Sequence, residues 1–100
     1  MSNYHEITLT EAVSMTHAYQ NDPLFSGKTI SVKMDNSAFQ ELMSQPGCVS
    51  LRSYFAKNSN NELTLVVVGV DVNGNDMTSG LVMNRGVNCP VNCPVASPLM

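Results

Sequence analysis

Cys89 and Cys93 are the residues whose types and spacing come closest to a chemical site, each followed by proline in the run Cys89-Pro90-Val91-Asn92-Cys93-Pro94. Thiolates bind soft metals, exchange disulfides and attack electrophiles. Each of those chemistries needs more than this pair offers. A structural zinc site takes four ligands; here Cys48 and His5 or His17 would have to complete it, and none stands at knuckle spacing. A thioredoxin-type centre sets CxxC at a helix start, where the dipole lowers the thiol pKa. This pair is CxxxC in a segment that proline keeps out of helix. The plainer reading is two small cysteines anchoring an extended strap, with a local Cys89–Cys93 bridge compatible with the spacing.

The third cysteine follows a helix stop, in Gln45-Pro46-Gly47-Cys48. A nucleophilic cysteine needs a base within hydrogen-bond reach. His17 is the candidate base with a defined placement, and it falls off the apolar stripe of its helix. Cys48 therefore reads as a small core residue. Asp71-Val72-Asn73-Gly74-Asn75-Asp76 carries oxygen side chains at alternate positions, superficially like a calcium loop. An EF-hand requires Gly at position six and Glu at position twelve; Asp76 and Val82 stand there, and Asn73-Gly74 is a tight-turn dipeptide. Of the seven methionines, Met15, Met34 and Met43 fall on expected core faces, Met1 and Met100 at the ends, and Met77 and Met83 form no stripe. No glycine-rich phosphate loop, carboxylate pair or Ser-His-Asp set stands out. No catalytic residue, cofactor or metal is assigned.

One hundred residues form one domain, long enough to bury roughly two thirds of its unfolded surface without staples. Five basic against eight acidic residues give a net charge of −3. Lys28, Lys33, Arg52, Lys57 and Arg85 are scattered, which argues against nucleic acid and against an anionic membrane surface. The first residues, Met1 to Glu6, lack the pattern of a signal peptide, and the longest apolar run, Leu65 to Val70, is too short to span a bilayer. A cytoplasmic location is expected, with an odd count of cysteines that fits free thiols.

The elements that must position these residues follow from periodicity. Thr8 and Glu11 make a capping box, and Leu9, Ala12, Val13, Met15, Thr16 and Tyr19 continue as an amphipathic helix to about Gln20. Asn21-Asp22-Pro23 ends it. Thr29 to Met34 alternates as a short strand. Asp35-Asn36-Ser37 supplies cap candidates for a second helix, Ser37 with Gln40 as a capping box, with Phe39, Leu42 and Met43 as its stripe, and Pro46-Gly47 stops it. Val49 to Lys57 is a second strand, Asn58 to Asn61 a hairpin loop, and Glu62 to Val72 a third strand that is apolar on both faces and therefore central.

The expected fold is α+β: a three-stranded mixed sheet of order 1-3-2 with two helices and a right-handed crossover. Residues 1–76 form the core and residues 77–100 a mostly irregular strap. The strap, or a second copy of the chain, covers the remaining sheet face.

Gln45-Pro46-Gly47-Cys48, Leu51-Arg52-Ser53-Tyr54-Phe55-Ala56, Val68-Gly69-Val70-Asp71 with Gly74-Asn75-Asp76-Met77, and the tail Cys89-Pro90-x-x-Cys93-Pro94 through Ser97-Pro98-Leu99 resemble a group of small uncharacterised bacterial proteins of Bacteroidetes type. The likeness spans nearly the whole chain and is most specific in the tail. It implies a bacterial, cytoplasmic, single-domain protein and no particular activity. Function is thus expected in the class of non-catalytic binding or assembly proteins, with a homodimer or a protein partner engaging the sheet face or the tail. The alternative is a thiol-based metal or redox protein using Cys89 and Cys93.

Overall fold

A computed structural model describes residues 3–100. Helix α1 spans Leu9–Gln20. Half of the expected Thr8/Glu11 capping box forms: the Thr8 side chain accepts from the Glu11 N–H, while Glu11 Oε1 accepts from the Thr8 hydroxyl at 3.1 Å instead of from the Thr8 backbone N–H. Past Asn21 the chain enters a single 3₁₀ turn, Pro23–Phe25, which Asp22 caps by accepting from the Leu24 N–H. Strand β1 (Ser31–Lys33) and helix α2 (Asn36–Met43) follow. Then come β2 (Ser50–Lys57), β3 (Leu63–Val70), β4 (Val82–Met83) and β5 (Val87–Cys89).

Strands β2 and β3 form the hairpin that their alternation predicts, in register from Ser50 opposite Val70 to Lys57 opposite Leu63. The loop residue Asn58 organises the turn through its side-chain oxygen, which accepts from the N–H groups of Asn60 and Glu62. Asn61 adopts φ +64°, a left-handed conformation that asparagine tolerates better than most residues.

The α+β class holds, but the mixed 1-3-2 sheet does not. There are two antiparallel sheets, one ordered β2-β3-β4 and the other pairing β1 with β5. Strand β3 is central, as expected, but its second neighbour comes from the C-terminal segment rather than from β1. Locality explains this. The chain turns back directly after β3, bridging Asp76 to Val70 and bonding the Met77 N–H to the Gly69 carbonyl at 2.9 Å. That return reaches the edge of β3 with far less loop to close than a crossover from β1. Strand β1 takes β5 instead, with Ser31 opposite Cys89 and Lys33 opposite Val87. A Cβ at Gly86 would collide with Val32 Cγ1, so only glycine lets the chain enter β5 this close to β1.

Helix α2 also starts differently from the expected Ser37/Gln40 box. Asp35 is the N-cap, without a side-chain cap bond, and its carbonyl accepts from the Ala38 N–H. Extended backbone at Asp35 opens the helix two residues early and leaves Ser37 inside the first turn.

The core is small. Leu42 from α2, Val67, Val68 and Val70 from β3, and Cys89 from β5 are its buried apolar residues, with Thr64 beside them. Stripe residues of both helices lie outside it: Leu9 and Met15 on α1 are 60% and 65% exposed, and Met43 on α2 is 55% exposed. No residue of α1 is buried. A compact chain of 10.8 kDa exposes about 5,500 Å², whereas this one exposes 7596 Å². Its radius of gyration is 15.2 Å, against about 13 Å for a compact domain of this length.

Candidate functional site

Three surface features have the ingredients of a site, and the β2–β3 hairpin positions all of them. The first is an apolar cleft of about 320 Å³ between α1, the entry to β1 and the turn end of the hairpin. Met15, Tyr19, Ile30, Val32, Phe55 and Leu65 line it. Tyr19 fixes its width. The Tyr19 hydroxyl donates to the Thr29 carbonyl at 2.8 Å, and the ring stacks on Phe25 with centroids 4.7 Å apart. Ile30 is held from the other side by its N–H, which donates to the Cys89 carbonyl at 2.7 Å. Phe55 forms the outer lip and is 83% exposed.

The second feature is the outer edge of β2. In an antiparallel ladder, alternate residues send their N–H and C=O groups to opposite sides. Three bonds settle which way they point here. Asn88 Nδ2 donates to the Leu63 carbonyl, Asn84 Nδ2 to the Leu65 carbonyl and the Met77 N–H to the Gly69 carbonyl, all on the β4 side. Leu63, Leu65 and Gly69 stand opposite Lys57, Phe55 and Leu51. The backbone groups of Leu51, Ser53, Phe55 and Lys57 therefore point away from β3, along an edge that no strand covers. The far edge of β3 is closed, by β4 and by the two asparagine amides. The near edge of β2 is open over four pairs of donors and acceptors.

The third feature is a polar bridge on the opposite sheet face. The Asp76 carboxylate accepts from Arg52 Nη1 and from the Tyr54 hydroxyl. It reaches them from beyond Val70, on the face that Val66, Val68 and Val70 share with Arg52 and Tyr54. Hydrogen bonds to Tyr54 and Asp76, together with the charge of Asp76, hold the Arg52 guanidinium above its ordinary pKa. A permanently charged arginine neutralised by a carboxylate is a structural clamp that keeps a polar cover over buried valines.

The cysteines do not converge. Cys89 and Cys93 are joined as a disulfide with Cα atoms 4.7 Å apart, so the bridge that the spacing allows is formed, and the expectation of thiols fails for this pair. Cys48 lies just before β2, beside the other sheet, and is half-buried rather than the core residue expected. Its Sγ donates to the Ser50 carbonyl at 3.3 Å and packs where Gly69 has no side chain. His17 lies far along the chain from Cys48 and is engaged elsewhere, its Nε2 2.9 Å from the Met100 carbonyl oxygen. His5 is exposed, beside Tyr4. Among the described residues, no three His, Cys, Asp or Glu side chains gather into a cluster able to hold a metal.

The Asp71–Asp76 loop is a turn: Asp71 Oδ1 accepts from the N–H groups of Asn73 and Asn75, which occupies the oxygen a cation would need. The strap docks on its own chain at both ends, through β5 and through the Leu99 carbonyl, which accepts from Gln20 Nε2 at 2.8 Å. Between those points Val91 and Val95 are exposed.

Residue-by-residue reading missed the roles of Asn84, Asn88 and Phe55. Their signal was present but weak: two asparagines four apart beside a strand-like run, and an aromatic on an alternating strand. No helix among the described residues is long and apolar enough to cross a membrane. Comparison with protein-family models, with curated proteins and with solved structures gives no match to this chain.

Proposed function

We propose that this chain is a non-catalytic binding or assembly protein whose partner is another polypeptide. The observation that supports it best is the surface left over by the fold, about 2,000 Å² beyond that of a compact chain of its mass. Part of the exposed apolar surface is gathered in one place. Phe55, Met15 and the cleft they line meet the open backbone edge of β2 at one end of the hairpin. Contiguous apolar surface beside unpaired strand backbone is what partners cover. The reading gives no role to nucleic acid, because the basic side chains are spread over both sheets and the loops.

One observation favours a second reading, a thiol–disulfide function centred on Cys89 and Cys93: the two are paired across only three intervening residues. Cys89 is fully buried, so of the two sulfurs only that of the exposed Cys93 is placed to meet an incoming thiolate.

Native mass spectrometry of protein purified without affinity metal, combined with thiol counting after denaturation, tests the assignment. A non-covalent complex with a polypeptide supports binding or assembly. A monomer that carries stoichiometric metal, or that reduces a disulfide substrate over many turnovers, overturns it in favour of thiol chemistry.

A further inference from the structure

We infer that the occupant of the open β2 edge is a second copy of this chain, joined strand to strand about a two-fold axis through Ser53, so that two three-stranded sheets become one of six strands. The inference rests on the assembly reading above and adds the partner, the surface and the register.

The size of the uncovered surface points to a whole protein. Obligate homodimers bury about 1,000 to 2,500 Å² per protomer, the range into which this chain's excess of about 2,000 Å² falls. A bound peptide would cover only the edge.

The residues of β2 fit their own reversed copy. Leu51, Ser53, Phe55 and Lys57 send their backbone groups outward, so antiparallel self-pairing must match odd residues with odd ones. With Ser53 opposite the partner's Ser53, Leu51 meets the partner's Phe55 on the cleft face. On the other face Arg52 meets the partner's Tyr54, a guanidinium beside a phenol ring. Val49 lies before β2 and turns its N–H inward to the Val70 carbonyl, so the matched stretch runs from Leu51 to Phe55, Lys57 lies beyond it, and no two like charges face each other. Leu51 and Phe55 gain an apolar cross-strand contact twice over, once on each side of the axis.

The two-fold axis stands perpendicular to the sheet, so both clefts lie on one face, flanking the seam. Each cleft has Phe55 as its outer lip. In the pair, the partner's Leu51 closes that lip. Strand addition without this match would leave Phe55 in water, and an edge of eight residues carrying Leu51, Tyr54 and Phe55 is otherwise an aggregation hazard.

The test combines sedimentation with amide hydrogen exchange on the unmodified protein. A monomer leaves the N–H groups of Leu51, Ser53, Phe55 and Lys57 unbonded and fast to exchange. The dimer protects Leu51, Ser53 and Phe55, and dilution below the dissociation constant removes protection from these three, while Lys57 exchanges fast throughout and the alternate residues Arg52, Tyr54 and Ala56 keep their protection. Ser53→Pro removes an outward N–H, costs the hairpin no internal bond, and strikes both bonds of the central pair at once because of the symmetry. It should weaken the dimer by about a hundredfold or more.

A sedimenting dimer with the Leu51, Ser53 and Phe55 amides protected supports the inference. A dimer in which those amides exchange freely, or that Ser53→Pro leaves intact in a folded chain, overturns the edge pairing while assembly itself stands. A monomer at millimolar concentration overturns the self-pairing, and the metal and turnover assays then decide the broader reading separately.

Discussion

Replacing Cys93 with serine should cost markedly less stability than replacing Cys89, although either change removes the same disulfide. The bridge closes a loop of about four residues, for which loop-closure entropy gives about 2 kcal/mol at 25 °C. Cys93 is exposed, so the new hydroxyl of Cys93→Ser meets water and the loss should stay near that figure. Cys89 is fully buried in β5, opposite Ser31. Serine there adds a hydroxyl in a site packed for sulfur, a further cost of about 1–3 kcal/mol.

Urea titration at 25 °C resolves the two. With a slope of about 1–1.5 kcal/mol per molar for a chain of this size, the midpoint should fall by about 1.5 M for Cys93→Ser and by roughly twice that for Cys89→Ser. Reductant should move the unmodified protein onto the Cys93→Ser curve and leave that variant unchanged. Equal shifts for the two variants would mean that Cys89 is not buried, and an unmodified protein indifferent to reductant would mean that the bridge is absent.

Two core substitutions should give sharp outcomes. Leu42→Ala removes the one buried side chain that α2 contributes and should destabilise by about 3 kcal/mol in the same titration; a loss below about 1 kcal/mol would mean that α2 is not packed on the sheet. Gly69→Ala puts a Cβ 2.9 Å from both Cys48 Sγ and Gln45 Nε2, and should cost about 1–3 kcal/mol. Combining it with Cys48→Ala should recover part of that loss, whereas strict additivity in the double variant would contradict the close approach.

Local signals in the chain translated directly into structure. Thr8 and Glu11 capped α1, and Pro23 took the chain out of it. The alternation of β2, the asparagine-rich loop and the doubly apolar run of β3 gave the hairpin and its central strand. What stayed hidden was whatever depends on distant partners. Strand β4 has two residues, too few for any period to register. The pairing of β1 with β5 joins residues more than fifty positions apart, and the closing of β3 by the Asn84 and Asn88 amides depends on that arrangement. Met15 and Met43 sit on stripes that read as core, yet burial requires a facing surface, and this chain supplies none over them. The bridge between Cys89 and Cys93 was legible as a possibility, and the separation of Cys48 from that pair was not, because it follows from which sheet each strand joins.

The way α1 is attached gives the molecule two levels of cooperativity. The helix buries no residue and is tied down by polar contacts from Tyr19, His17 and Gln20 to the carbonyls of Thr29, Met100 and Leu99. Twelve residues are too few to hold a helix in water by propensity alone. Helix α1 therefore forms and melts as its own foldon, opening at a fraction of the free energy that unfolds the β2–β3 hairpin. Each such opening removes one wall of the apolar cleft, so access to that cleft is governed by the helix–coil equilibrium of α1 and not by the stability of the sheet beneath it.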